Sequence, residues 1–151
     1  KYILDGGKCN IGLESTIINL TKKPAILRLG GLVVSKIENV LGSKIKLNLN
    51  PKKKISAGQS QLHYSPGIPL RMNVKEAKRN EAFILIKKRK ISLNNYYYLS
   101  KKNNLNEVAK NLYTCLRKIK NDGFKSIAVE KISNRGLGKT INDRLYRASK
   151  Y

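Results

Sequence analysis

Ala82-Phe83-Ile84-Leu85-Ile86 is an unbroken apolar run, followed by Lys87-Lys88-Arg89-Lys90. A strand with one wet face alternates apolar and polar residues. A strand covered on both faces does not, and such strands belong to parallel sheets flanked by helices. This run therefore predicts an α/β unit, and its neighbours supply the other elements. Pro69–Met72, Tyr96–Ser100 and Ser126–Val129 read as strands. Asn104-Leu105-Asn106-Glu107 caps a long helix whose apolar positions Leu105, Val108, Ala109, Leu112, Cys115, Leu116 and Ile119 follow the 3.6-residue period. Lys118 and Lys120 fall in its last turn, where the helix dipole favours cations, and Asn121-Asp122-Gly123 ends it. A last helix runs from about Leu137 with Leu137, Ile141, Leu145 and Ala148 on one side. Asn73-Val74-Lys75-Glu76 resembles a capping box and predicts a short helix. The order strand, helix, strand, strand, helix, strand, helix is that of a small α/β unit with a mainly parallel sheet.

Upstream, Tyr2-Ile3-Leu4 is a short strand candidate, and Ser15–Leu20 with Pro24–Arg28 reads as a hairpin ended by Gly30-Gly31. Ser35-Lys36-Ile37-Glu38 fits a capping box for a short helix over 36–41, with Ile37, Val40 and Leu41 on its apolar face and Gly42 at the C-terminal cap. Lys44–Leu49 alternates like a half-buried strand. From Pro51 to Pro69 no period emerges, and long loops of this kind are often functional. The expected division is 1–49, a linker at 50–67, and a small α/β unit at 68–151.

Hydrophobic residues make up 40% of the 151, which excludes a disordered chain. No apolar run approaches the roughly 18 residues of a membrane span. Cys9 and Cys115 stand far apart and outside any C-x-x-C pair, which points to a reducing cytosol. The formal net charge of +23 invites an RNA-binding reading, since basic surfaces bind phosphates through counterion release. Yet Lys outnumbers Arg about threefold and is scattered over every segment, with Asn and Ile abundant too. Compositional drift accounts for that better than a dedicated nucleic-acid surface, which leans on Arg forks and stacked aromatics. A basic RNA-binding module without catalytic activity is the alternative.

The chemistry-bearing residues are few. His63 is the only histidine, which rules out a multi-histidine metal site. Cys115 sits on an apolar stripe and reads as a buried structural thiol. Cys9 lies in a glycine-rich turn with no histidine nearby in sequence to activate it, so no nucleophile is assigned. Gly136-Leu137-Gly138-Lys139-Thr140 suggests a phosphate loop, but Ser133 stands where that motif needs its first glycine. Arg28 ends an apolar strand beside Gly30-Gly31 and is placed to grip a phosphate. Ser15 and Thr16 offer compact hydroxyls for a carboxylate or phosphate.

These pieces share one order: Asp5-Gly6-Gly7 through Gly12-Leu13-Glu14-Ser15-Thr16-Ile17-Ile18, then Ile26-Leu27-Arg28, then Ser56-Ala57-Gly58-Gln59, then His63-Tyr64-Ser65-Pro66, then Gly136-Leu137-Gly138 and Ile141-Asn142-Asp143-Arg144. In that order they resemble the two-domain threonylcarbamoyl-AMP synthases over essentially the whole chain. The resemblance implies the C-terminal part of a YrdC-like α/β domain, a linker, and a small Rossmann-like α/β domain. It implies a reaction of L-threonine, bicarbonate and ATP, with Mg2+ accompanying ATP as substrate and no tightly bound cofactor. Partner proteins then carry the threonylcarbamoyl group to tRNA. It implies that Ser15 contacts L-threonine, that Arg28 contacts ATP, and that the linker closes as a lid with Tyr64 as the nucleotide contact; Gln61 is the competitor for that last role. No catalytic residue and no metal ligand are carried over. Leu29 stands where the family usually has proline after the arginine, and Ala57 where it usually has proline in the linker. The family's K-x-R and S-x-N segments would lie before Lys1, so this portion alone is expected to be inactive, in a cytoplasmic protein.

Overall fold

The computed structural model describes residues 2–7, 9–21, 23–60 and 64–150. Two sheets organise it. The first has three strands in spatial order β1 (Ile17–Asn19), β2 (Ala25–Arg28), β3 (Lys46–Leu47). β1 and β2 form the expected antiparallel hairpin, with an irregularity between Ile17 and Ile18, and β3 runs parallel to β2. Helix α1 (Val34–Leu41) crosses between β2 and β3, and Ile26, Leu29, Ile37 and Ile45 form the small core beneath it.

The second sheet has β4 (Leu70–Arg71), β5 (Ala82–Lys87), β6 (Tyr96–Ser100) and β7 (Ile127–Val129) in spatial order β4-β7-β5-β6, with every pairing parallel. Helices α2 (Leu105–Asn121) and α3 (Leu137–Ala148) cover one face, where Ile84, Leu99, Leu112, Ile119, Ile127, Ile141 and Leu145 are all fully buried. The other face presents Phe83, Leu85 and Ala128, covered by Val74, Ala77, Tyr96 and Tyr98. The 82–86 run is thus apolar throughout because both of its faces are packed.

Four local expectations fail. Residues 73–76 are not helical: Asn73 takes a left-handed φ of 59°, and the Val74 N–H donates to the Val129 carbonyl at 3.1 Å. Covering the second sheet face outweighs the local capping signal there. Helix α1 starts at Val34 with no side-chain cap, so Ser35 lies inside it. Glu38 instead accepts from Lys44 Nζ at 3.0 Å and from the Ile45 N–H at 3.3 Å, which fixes the chain after the left-handed Gly42. Val40, expected on the apolar face, is 89% exposed. Tyr2, Ile3 and Leu4 form no strand and are almost fully exposed.

The α2 cap forms with an added turn. Asn104 Oδ1 accepts from the Asn106 and Glu107 N–H groups, but Glu107 accepts from the Ser100 hydroxyl and the Lys101 N–H rather than reaching back to Asn104. Ser100 Oγ in turn accepts the Asn104 N–H at 2.9 Å, so the end of β6 and the start of α2 share one network.

Candidate functional site

Ser15 lies on the turn leading into β1, and Arg28 ends β2 directly across the hairpin. The guanidinium donates from Nε to the Ser15 carbonyl at 3.0 Å and from Nη2 to the Ser15 hydroxyl at 3.2 Å. Arg28 is thereby aimed by backbone geometry rather than left to sweep solvent. Thr16, the other candidate hydroxyl, donates to the Leu32 carbonyl at 2.7 Å. Its hydroxyl serves the turn, and Ser15 is the exposed one of the pair. Gly30 permits the close approach: a Cβ there would stand 2.2 Å from the Thr16 nitrogen and 2.3 Å from the Ser15 carbonyl carbon.

The linker reaches the same place. Gln59, 3% exposed, donates through Nε2 to the carbonyls of Leu27 and Asn48, and its Oε1 accepts the N–H groups of Ile55 and Ser56. This staple lays Gly58 on Arg28. A Cβ at Gly58, whose φ is +81°, would meet Arg28 Cδ at 2.8 Å and the Tyr64 hydroxyl at 3.3 Å. Arg28 and Tyr64 therefore flank Gly58, and Ser15, Arg28 and Tyr64 come together from three separate segments. Gln61 and His63 lie outside the described residues.

Tyr64 adopts a left-handed φ of 68°, uncommon for a non-glycine residue and kept only where the surroundings over-determine it. Its ring stacks on Tyr113 of α2 with centroids 5.4 Å apart, and the Arg144 guanidinium of α3 lies 4.9 Å from its centroid. Burial, together with the Glu14 carboxylate against its hydroxyl, pushes the Tyr64 pKa up to about 12, so the phenol stays protonated at neutral pH.

Arg144 is the group that sequence reasoning missed. Its side chain is fully buried, and it donates to Glu14 Oε2 at 3.0 Å, to the Leu29 carbonyl at 2.6 Å and to Asp143 Oδ2 at 2.5 Å. Burial by itself raises the Glu14 pKa, but the Tyr64 hydroxyl, the local backbone and Arg144 outweigh it and hold the carboxyl below its ordinary range. Two further α3 residues grip the first sheet's side of the molecule. Thr140 donates to the Gly30 carbonyl at 3.0 Å, and Arg147 to the carbonyls of Leu49 and Ser60. Gly138 allows the helix to start where it does, since a Cβ there would fall 1.8 Å from the Ser133 carbonyl oxygen.

Two grooves flank Glu14. One, of about 540 Å³, is lined by Cys9, Ser15, Thr16 and Leu32 among others; the second, of about 560 Å³, by Tyr64, Tyr113, Arg117 and Lys120. Cys9 is exposed on the first groove, and Cys115 is largely covered, its thiol pushed up to about 12 by burial. Among the described residues no three His, Cys, Asp or Glu side chains gather into a group able to hold a metal ion, and no helix is long and apolar enough to cross a membrane.

Residues 32–150 match the family described as "Threonylcarbamoyl-AMP synthase, C-terminal domain". The chain is 31% identical to the threonylcarbamoyl-AMP synthase of Pyrococcus abyssi, over 99% of this chain and 49% of that protein. It is 29% identical to that of Bacillus subtilis, over 97% and 48%. The crystal structure of Pyrococcus abyssi Sua5 complexed with L-threonine matches with a TM-score of 0.80 and 28% identity, over 97% of this chain and 48% of that one. A Pyrococcus abyssi Sua5 variant, with a histidine and the tyrosine after it replaced by alanine, matches with a TM-score of 0.77 and 26% identity, again over 97% and 48%. The chain spans about half the length of the curated relatives it matches. A family match over residues 32–150, with relatives aligned along nearly all of the sequence, leads to one assignment: the chain belongs to the threonylcarbamoyl-AMP synthase family.

Proposed function

We propose that the chain supplies one wall and the lid of a threonylcarbamoyl-AMP synthase site. The reaction is a nucleotidyl transfer in which L-threonine, bicarbonate and ATP become threonylcarbamoyl-AMP and pyrophosphate. It serves tRNA threonylcarbamoyladenosine formation in the cytosol, with partner proteins completing the transfer to tRNA. The observation that carries this reading is the convergence of Ser15, Arg28 and Tyr64 around Gly58.

Each group suits its role. Arg28 is an always-charged planar donor, fixed by Ser15, and it steadies the ATP phosphates as negative charge shifts on to the leaving pyrophosphate. Ser15 presents a small hydroxyl to L-threonine. Tyr64 brings a protonated phenol and an aromatic face to the nucleotide. The linker excludes water from a carbamoyl species prone to decay. Mg2+ travels with the ATP phosphates. The chain's one His-Tyr pair, His63-Tyr64, lies in this linker. The division into 1–49, 50–67 and 68–151 follows the same reading: a partial catalytic unit, a lid, and a unit that holds both. The portion described by residues 1–151 does not catalyse the reaction alone.

The test is ATP- and L-threonine-dependent pyrophosphate release by this chain joined to an upstream half that supplies the opposite wall. Arg28→Ala is expected to raise the KM for ATP and lower kcat, and Ser15→Ala to raise the KM for L-threonine by about tenfold, the scale of one lost hydrogen bond. A fully active Arg28→Ala enzyme would refute the reading.

A further inference from the structure

We infer that Arg144 is a positioning residue which latches the lid from the C-terminal unit: one guanidinium sets the place of Tyr64, of Glu14 beside Ser15, and of the Leu29 carbonyl beside Arg28. The inference rests on the proposed role of Tyr64 for its functional meaning, but not for its geometry.

Three segments meet at this side chain, the first two of which also share the backbone hydrogen bond from the Gly31 N–H to the Glu14 carbonyl. The turn before β1 offers the Glu14 carboxylate, 3.0 Å from Arg144 Nε. The residue after β2 offers the Leu29 carbonyl, 2.6 Å from Nη2. The linker offers the Tyr64 ring, which lies 4.9 Å from the guanidinium carbon and is stacked from Tyr113. A planar fork with five donors can serve a carboxylate, a carbonyl and a ring face at once, whereas an ammonium on a flexible stem cannot. The guanidinium is itself aimed, since Asp143 accepts from Nη1 and also holds Arg147. Arg147 extends the grip to Ser60, in the linker just before the lid, and to Leu49.

The consequence is directional. Ser15 and Arg28 lie one residue from Glu14 and Leu29, the positions that Arg144 holds. Tyr64 has a left-handed backbone, and its ring rests on both Arg144 and Tyr113. A motion of α3 relative to the first sheet would therefore reach both substrate-facing groups and the lid together. Arg144 faces the Glu14 and Tyr64 side chains from behind; its role is to place the residues that meet substrate.

The experiment has two independent readouts. In the first, hydrogen exchange of the linker amides at 56–60, 64, 65 and 67 is followed in this chain for the wild type, Arg144→Lys and Glu14→Gln. Arg144→Lys is expected to speed linker exchange by at least about tenfold while the amides of β5 and β7 keep their protection, because local opening is cheaper than global unfolding. Glu14→Gln, which keeps shape and removes one arm of the latch, is expected to give a smaller increase and guards against a folding failure of the first variant. Unchanged linker exchange in either folded variant would overturn the latch. In the second, steady-state kinetics are measured on this chain joined to an upstream half that supplies the opposite wall. The latch predicts that Arg144→Lys raises the KM for ATP about tenfold with kcat changed less than about threefold. A loosened linker with an unchanged KM would leave the latch standing and refute Tyr64 as the nucleotide contact, so the two ideas fail separately.

Discussion

Arg144 Nε donates to the Glu14 carboxylate at 3.0 Å, tying α3 to the turn before β1 across 130 residues of sequence. Glu14 retains 31% side-chain exposure while Arg144 retains none, so the pair lies at the edge of the core with its cation sealed in. Removing the Glu14 carboxylate leaves Asp143 as the remaining anion on the buried Arg144, so the cost falls below the roughly 3–5 kcal/mol of a buried charge with no counterion.

Glu14 makes that pair pH-dependent. Its pKa lies below the ordinary 4.5 because the Tyr64 hydroxyl and Arg144 outweigh the opposing effect of burial. A carboxylate with a depressed folded-state pKa stabilises the fold above its unfolded pKa, and that stability is lost as pH falls through the folded value. Glu14→Gln is expected to be less stable than wild type at pH 7 by about 1–3 kcal/mol. The gap should narrow as pH falls below 4.5 and vanish once pH lies below the lowered folded-state value, as a series of urea midpoints from pH 7 downward will show.

The core of the second sheet holds most of the fully buried apolar residues. Ile84 is fully buried at the centre of β5, and Ile84→Ala is expected to cost about 2–5 kcal/mol. Val40, by contrast, is 89% exposed, and Val40→Ala is expected to stay within about 0.5 kcal/mol despite its place on an apparent apolar face. Paired denaturation curves measure both.

Gly30 tests the approach that brings Ser15 to Arg28. The added methyl of Gly30→Ala would sit 2.2 Å from backbone that no side-chain rotation can clear. The hairpin and the following segment must separate, and destabilisation of about 1–3 kcal/mol or more is expected. Weaker L-threonine affinity should follow in the completed enzyme, whereas Gly6→Ala, with nothing within 4 Å of its new Cβ, is expected to change neither.

The two thiols should behave differently. Cys9 is exposed, while burial holds the Cys115 thiol near 12, so thiolate there is scarce at neutral pH. A thiol reagent is expected to modify Cys9 rapidly and Cys115 only on denaturation. Rapid labelling of two thiols per native chain would contradict the packing of α2 on β6.

What the sequence made legible was whatever a local pattern can encode. The unbroken run at Ala82–Ile86 gave the buried parallel strand, the 3.6-residue stripe from Leu105 to Ile119 gave α2, and Gly42 gave a left-handed cap that is indeed present. Patterns of equal local strength failed where tertiary contacts overruled them: Glu38 turned to Ile45 and Lys44, and residues 73–76 were drawn over the open sheet face. The family resemblance implied that Ser15, Arg28 and Tyr64 serve one site, but no local pattern in the residues encodes their meeting. The Gln59 staple, the Arg144–Glu14 pair and the Tyr64–Tyr113 stack join positions far apart in sequence and leave no periodic trace. A hint of Arg144 existed, since the Gly12–Ile18 and Ile141–Arg144 segments are the most specific parts of the family resemblance, and they meet in space through this pair.

The central claim is that this chain holds one wall of a threonylcarbamoyl-AMP synthase site and that Arg28 faces ATP from it. It is tested most directly by pyrophosphate release dependent on both ATP and L-threonine. The measurement compares the chain alone, the chain joined to an upstream half that supplies the opposite wall, and the joined protein carrying Arg28→Ala. The account predicts no release from the chain alone, release from the joined protein, and a loss of about a hundredfold or more in kcat/KM for ATP in the variant, with the fold intact. Release from the chain alone, or an Arg28→Ala enzyme as active as its parent, would contradict it.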